Sequence, residues 1–210
     1  MERFKGQRNL YVIGQYKDYI INELSKDEDF QLAILDEDTY KQLKEAEKNG
    51  NDIDYKSLFE NYVYDYAFSP DAAEDNKIYV CVDITVPYAD GTTFKDLYIY
   101  SYIFAPKSYI RWNKDIKYEK KVLGILKSRG YCGNKVDVIT DIIDRKLNGM
   151  TGMTIGKLAF APRDPVTIFN AQQGYYGKLV TYIGSDINIL PSEAIIKEYK
   201  DGELDFGWSI

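Results

Sequence analysis

The 210-residue chain contains no histidine. That absence removes the commonest general base, the commonest zinc ligand and every Ser-His or Cys-His pair at once. Cysteine is scarce too. Cys81 and Cys132 lack CxxC spacing, and a disulfide between them is not expected in a reducing compartment. Cys81 falls in the middle of an apolar alternation and reads as a buried thiol. No apolar run approaches the ~20 residues of a membrane span. The opening MERFKGQRNL has no apolar stretch of the kind a secretory signal carries, so cytoplasmic synthesis without a membrane partner is expected. Positive charge is also in deficit: 27 Lys and Arg against 33 Asp and Glu leave a net charge of -6, which argues against binding nucleic acid or membrane by charge alone. There is no GxSxG nucleophile motif, no internal repeat and no low-complexity segment. No catalytic residue, cofactor or metal is expected.

What is abundant is tyrosine, 20 residues of it. Tyr joins a large contact area to a polar tip and few torsions, which suits extended protein-protein surfaces more than any one chemistry. The densest use is in Lys77 to Pro106. Ile78, Val80, Val82, Ile84 and Val86 alternate with Tyr79, Cys81, Asp83 and Thr85, the period of two that a pleated strand requires. The return run alternates as well, with Leu97, Ile99, Ser101, Ile103 and Ala105 on one side and Tyr98, Tyr100, Tyr102 and Phe104 on the other. Ala89-Asp90-Gly91-Thr92 supplies the Asp-Gly pair that closes a hairpin. One face of this ribbon is aliphatic and the other aromatic, and both need cover.

Around the hairpin the spacing predicts an amphipathic helix over about 9–26, from Leu10, Ile13, Tyr16, Ile20, Ile21 and Leu24. One or two shorter helices follow over 27–46, with Asp36 or Asp38 as a cap, then a polar break over 45–54. Residues 55–68 start helical and become extended. Beyond the hairpin, 107–133 holds eight Lys or Arg with Tyr109, Trp112 and Tyr118 interleaved, and is expected to be a long arm between core elements. Its alternative reading is a single-strand nucleic-acid or host-interaction surface. A helix over 134–147 follows, with Val136, Ile139, Ile143 and Leu147 as its stripe. Asp137, Asp141 and Asp144 share its other face. Three carboxylates so placed can hold a divalent cation, but such acids are ordinarily the solvated side of a helix, and that reading is adopted. A short strand over 157–161, a loop over 162–171, a last strand over 172–183 and a C-terminal extension over 189–210 complete a single α+β domain with its core over 9–188.

The run from Gly130 to Phe160, followed by YYGKLVTYIGSDIN, resembles the second half of the tail-terminator, or tail-completion, proteins of tailed bacteriophages. The likeness rests on Val136-Asp137, Ile143-Asp144 and Leu147 in the helix, on Thr154-Ile155-Gly156-Lys157-Leu158 after it, and on Tyr176-Gly177 with Thr181-Tyr182 in the last strand. It covers about 77–188; the 107–133 arm is longer than the family pattern, and the tail after Asn188 is unaccounted for by it. The resemblance implies an antiparallel or mixed sheet built on the central hairpin with packed helices. It further implies a structural protein of the virion, made in the host cytoplasm, that forms a ring, commonly a hexamer. Such a ring caps the tail or joins head to tail, contacts adjacent neck, adaptor or tail proteins, and lets DNA pass through its channel. The surfaces expected to make the contacts are Tyr98, Tyr100, Tyr102 and Phe104, the Ala89–Thr92 turn, Trp112, and Phe206 with Trp208 in the tail.

Overall fold

The computed structural model describes residues 9–66, 77–90, 93–151, 157–169 and 175–184, with the side chains of 9–12, 86–90, 93–96 and 169 left out. The fold is α+β, with one mixed six-stranded sheet and six α-helices among the described residues. Strand β2 (Tyr79–Asp90) and strand β3 (Thr93–Pro106) are the expected hairpin, and they lie at the centre of the sheet order β1-β2-β3-β6-β4. β1 (Val63–Tyr64) pairs parallel to β2, while β6 (Tyr175–Gly184) runs antiparallel along all of β3 from Leu97 to Pro106.

Helix α1 (Asn9–Ser25) lies on β2 through Tyr16, Ile20, Ile21 and Leu24, all buried. Helix α2 (Glu28–Ile34) begins where Asp27 accepts the amides of Asp29 and Phe30, and α3 (Glu37–Lys48) where Asp36 does the same for Asp38 and Thr39. Both are side-chain N-caps of the kind worth ~1 kcal/mol each. α2 is buried from Phe30 to Ile34 because it packs on α1, on α6 and on α5. After α4 (Tyr55–Phe59) the chain enters β1.

Helix α6 (Lys135–Leu147) is the centre of the helical layer and packs on β3 and β6. Val136, Ile139, Ile143 and Leu147 are fully buried, with Val138 and Ile142 beside them. They meet Val82, Ile99, Ile103, Val180 and Tyr182 of the sheet in one core, where each buried aliphatic side chain contributes about 1.5–3 kcal/mol. The helix opens with a reciprocal capping box between Asn134 and Asp137. Gly133 makes that box possible: its φ is +100°, and a Cβ there would lie 2.9 Å from the Cβ of Asp137.

Two segments differ from the sequence-based expectation. The 107–133 stretch is not a loose arm. After one 3-10 turn at Lys107–Tyr109 it forms helix α5 (Lys117–Ser128), with Val122 and Leu126 buried against the main core. The expected 162–171 loop contains strand β5 (Val166–Phe169). β4 (Leu158–Phe160) and β5 lie end to end along β6, and the break between them is bridged by Ala161 N–H donating to Thr181 and Thr181 N–H donating to Pro165, at 3.0 and 2.8 Å. The two prolines interrupt one edge strand and leave it on the sheet.

Candidate functional site

The aromatic side of the hairpin is a ladder. Tyr98, Tyr100, Tyr102 and Phe104 occupy alternate positions of β3, so their rings project to one face about one strand repeat apart. Successive rings stack with centroids 6.3, 6.2 and 6.1 Å apart and planes within 26° of parallel. Register sets their flanks: Tyr100 stands between Asp83 of β2 and Thr181 of β6, and Tyr98 between Thr85 and Ile183. At the other end of the ladder, Phe104 forms a small second core with Tyr79 and Cys81, joined by Tyr64 and Tyr102. Burial pushes the Tyr102 hydroxyl above its ordinary pKa, and the Asp83 carboxylate adds to the effect. Tyr98 and Tyr100 are half-exposed. Among the described residues every helix that contacts the sheet packs on the opposite face.

The structure therefore brings together four of the residues singled out from sequence. Trp112 is not among them: it packs half-buried against the main core. Phe206 and Trp208 lie outside the described residues, as do Gly91 and Thr92 of the turn.

Trp112 instead lines a cavity of about 250 Å³ among α2, the start of α3, the 3-10 turn and α5. Its floor is apolar, from Leu32, Ile34, Ile78 and Val122. Against this floor stands a buried ion pair, Lys135 Nζ to Glu119 at 2.9 Å, with side-chain exposures of 5% and 10%. The ammonium also lies 3.8 Å from the centre of the Tyr109 ring and 5.6 Å from that of Trp112. Burial lowers the pKa of Lys135, and Glu119 opposes that shift. Glu119 further accepts the Asn113 amide at 2.7 Å. Across the cavity, Asp36 accepts the Tyr62 hydroxyl in addition to the α3 amides. Burial alone would raise its pKa, but the Thr39 amide, the Tyr62 hydroxyl and the other donors outweigh that and hold it below the usual carboxylate value. Two buried donors in the wall, Trp112 Nε1 and Tyr118 Oη, have no hydrogen-bond partner.

Sequence reasoning missed this pair, although a signal exists. Lys135 is in step with Ile139 and Ile142 on the apolar side of α6, and Glu119 with Val122 and Leu126 on that of α5. A single Lys or Glu inside an apolar stripe is the mark of a buried charge. The 107–133 aromatics are also placed: Tyr109, Trp112 and Tyr118 all pack half-buried against the main core, so they do not present a row of free rings for base stacking.

The three α6 acids are not one solvated set. Asp137 ion-pairs with Lys178 of β6 as well as capping its own helix, and Asp144 accepts the hydroxyl of the buried Tyr182 at 3.4 Å. Asp141 pairs at the surface with Arg145, at 3.3 Å. Their separate partners draw them apart, and among the described residues no trio of acids, Cys or His is arranged to hold a metal ion.

A protein-family model described as YomW matches residues 26–183, from the start of α2 through nearly all of β6. No curated protein and no solved structure matches the chain significantly.

Proposed function

The chain belongs to the YomW family, a name of phage type that points to a phage-associated protein, and from that premise we propose that it is a ring-forming structural protein of a tailed-phage virion. Its work on this reading is to terminate the tail or join head to tail around the DNA channel. Its partners are further copies of itself, commonly six in a ring, and the adjacent neck, adaptor or tail proteins. It acts without catalysis, in the host cytoplasm during assembly and in the particle afterwards.

The observation that carries this reading is the aromatic ladder. Tyr98 and Tyr100 stack at half exposure on a sheet face that no described helix covers. Contiguous apolar surface of this kind on a soluble protein marks a contact site. Rigid tyrosine rings are the side chains that anchor such contacts, and truncating one costs about 2 kcal/mol or more of association. Tyr98→Ala with Tyr100→Ala should therefore abolish the oligomer seen by size-exclusion chromatography with light scattering, and abolish incorporation into particles. The variant should still unfold cooperatively. A native chain that stays monomeric at high concentration and is absent from particles would sink the proposal.

A further inference from the structure

The outward face of α5 carries positive charge only. Lys117, Lys120, Lys121 and Lys127 share the half of the helix opposite Val122 and Leu126, and Arg111 and Lys114 precede it in the chain. All six are exposed, and none makes an ion pair among the described residues. The one exposed acid in the stretch is Asp115, because Glu119 is turned inward to Lys135.

Other helix surfaces of the chain are built differently. Lys41 pairs with Glu37 and Lys44 with Glu47 along α3, and Arg145 pairs with Asp141 along α6. On α5 the i+3 and i+4 neighbours of Lys117 are Lys120 and Lys121, like charges that weaken a helix where opposite ones would support it. The helix is held from elsewhere, by the burial of Val122 and Leu126 and by Arg129, which ties its end to Glu28 and Asp29. Gly124 stands in the middle of the lysines, where a Cβ would meet nothing within 4 Å, so no packing inside the chain calls for a residue that weakens a helix. The face is unfavourable in the free subunit and open to close approach.

Its chemistry selects the partner. Five of the six cations are lysine, a residue depleted at protein-protein contacts, and an ammonium on a flexible stem suits a repeating phosphate without fixing its geometry. Tyr109, Trp112 and Tyr118 pack against the core, which leaves no row of rings for unstacked bases and favours a duplex. Lys117 to Lys127 covers about 15 Å along the helix, a length over which each strand of B-DNA carries about four phosphates. The net charge of -6 hides this face: 111–127 holds six of the 27 cations and two of the 33 acids, leaving the rest of the chain at -10.

We propose that the outer face of α5 binds the phosphate backbone of duplex DNA without reading its sequence. The contact belongs to a single subunit and does not depend on ring formation.

Fluorescence anisotropy of a labelled duplex mixed with the full-length chain tests this. Binding should be equal for unrelated sequences and should fall with salt at a log-log slope of about -4, about 0.9 for each phosphate met. Lys120→Ala should reduce that slope by about 1. The same variant should melt no lower than the native chain, since a like-charged neighbour is removed. Lys120→Glu with Lys121→Glu should weaken binding about tenfold or more. Lys157→Glu with Arg163→Glu, an equal change in net charge placed beside β4 and β5, should change it less than about twofold at roughly 0.1 M salt, where distant charges are screened. No binding by the native chain at about 50 mM salt, equal losses in the two double variants, or tighter binding to the single strand would overturn the proposal. Tighter binding to polyglutamate at the same salt would overturn it as well and assign the face to an acidic protein.

Discussion

Lys135 and Glu119 set the terms of their neighbourhood because neither charge reaches water freely. Two ions taken out of solvent lose hydration worth several kcal/mol each, and their mutual attraction has to offset that loss. The 2.9 Å contact, the Tyr109 face under the ammonium and the Asn113 amide on the carboxylate are the compensations present. Burial lowers the Lys135 pKa, so between its folded and unfolded values the unfolded chain binds more protons and stability rises with pH. That window lies below the ordinary lysine value, and the rise in stability is complete once the pH passes it. Lys135→Met should cost about 3–5 kcal/mol in urea unfolding at pH 7, because it leaves the Glu119 carboxylate buried without a counter-charge. Adding Glu119→Gln should return most of the loss, since the amide oxygen still accepts from Asn113. An equal loss in the single and double variants would show that the pair acts only as packing.

At the scale of the element, α6 shows how three residues that look alike in sequence come to differ. Asp137 serves the capping box and Lys178 together, so Asp137→Ala should cost about 1–2 kcal/mol. Asp141→Ala should stay within about 0.5 kcal/mol, as exposed substitutions do. Asp144 goes the other way. Burial raises its pKa, with only partial relief from Asn148 and Tyr182, so its ionisation weakens the fold. A carboxyl raised in the folded state contributes most below its unfolded pKa, and that contribution is lost as pH rises through the folded value. Asp144→Asn should therefore stabilise the chain at pH 7 by a few tenths of a kcal/mol after solvent screening. Thermal melts should show the gain fading to nothing by about pH 3, below the ordinary Asp value. The apolar stripe of α6 was legible because Val136, Ile139, Ile143 and Leu147 repeat at the helical period without competition. α5 was less so: Tyr118, Val122, Ile125 and Leu126 carry the same period, but lysines at 117, 120, 121 and 127 give the segment the look of a charged arm. β5 was hidden for another reason, since four residues after two prolines carry almost no periodicity and are held in place by β6. The cavity and the fate of the α6 acids depend on which element packs on which, and that order is set by tertiary contacts the local pattern does not encode.

For the molecule as a whole, the two sides of the sheet are finished differently. Among the described residues β1 pairs only with Val80 and Cys81, and beyond them β2 is an edge. There Lys17 reaches from α1 to Asp83 at 2.6 Å and donates to the Asp65 carbonyl at 2.8 Å, the kind of edge charge that discourages further strand pairing. The opposite side carries apolar surface instead. Val166 is 44% exposed and Ile168 62%, and Phe160 lies at 36% while stacking on Tyr182. A ring is built from heterologous contacts, in which one surface of each subunit meets a different surface of the next. On the ring reading, the β5 side and the aromatic ladder are two such unlike surfaces. Ile168→Lys should then lower the oligomer mass in light scattering as Tyr98→Ala with Tyr100→Ala does, while the melting temperature of the subunit stays put, because an exposed side chain contributes little to folding. Mixing the two variants discriminates further. In an open head-to-tail contact one intact β5 surface and one intact ladder remain between the unlike partners, so mixed samples should recover pairs but not closed rings. If Ile168→Lys assembles as the native chain does, the β5 side is simply solvent-facing and the ladder must meet some other surface of the next subunit.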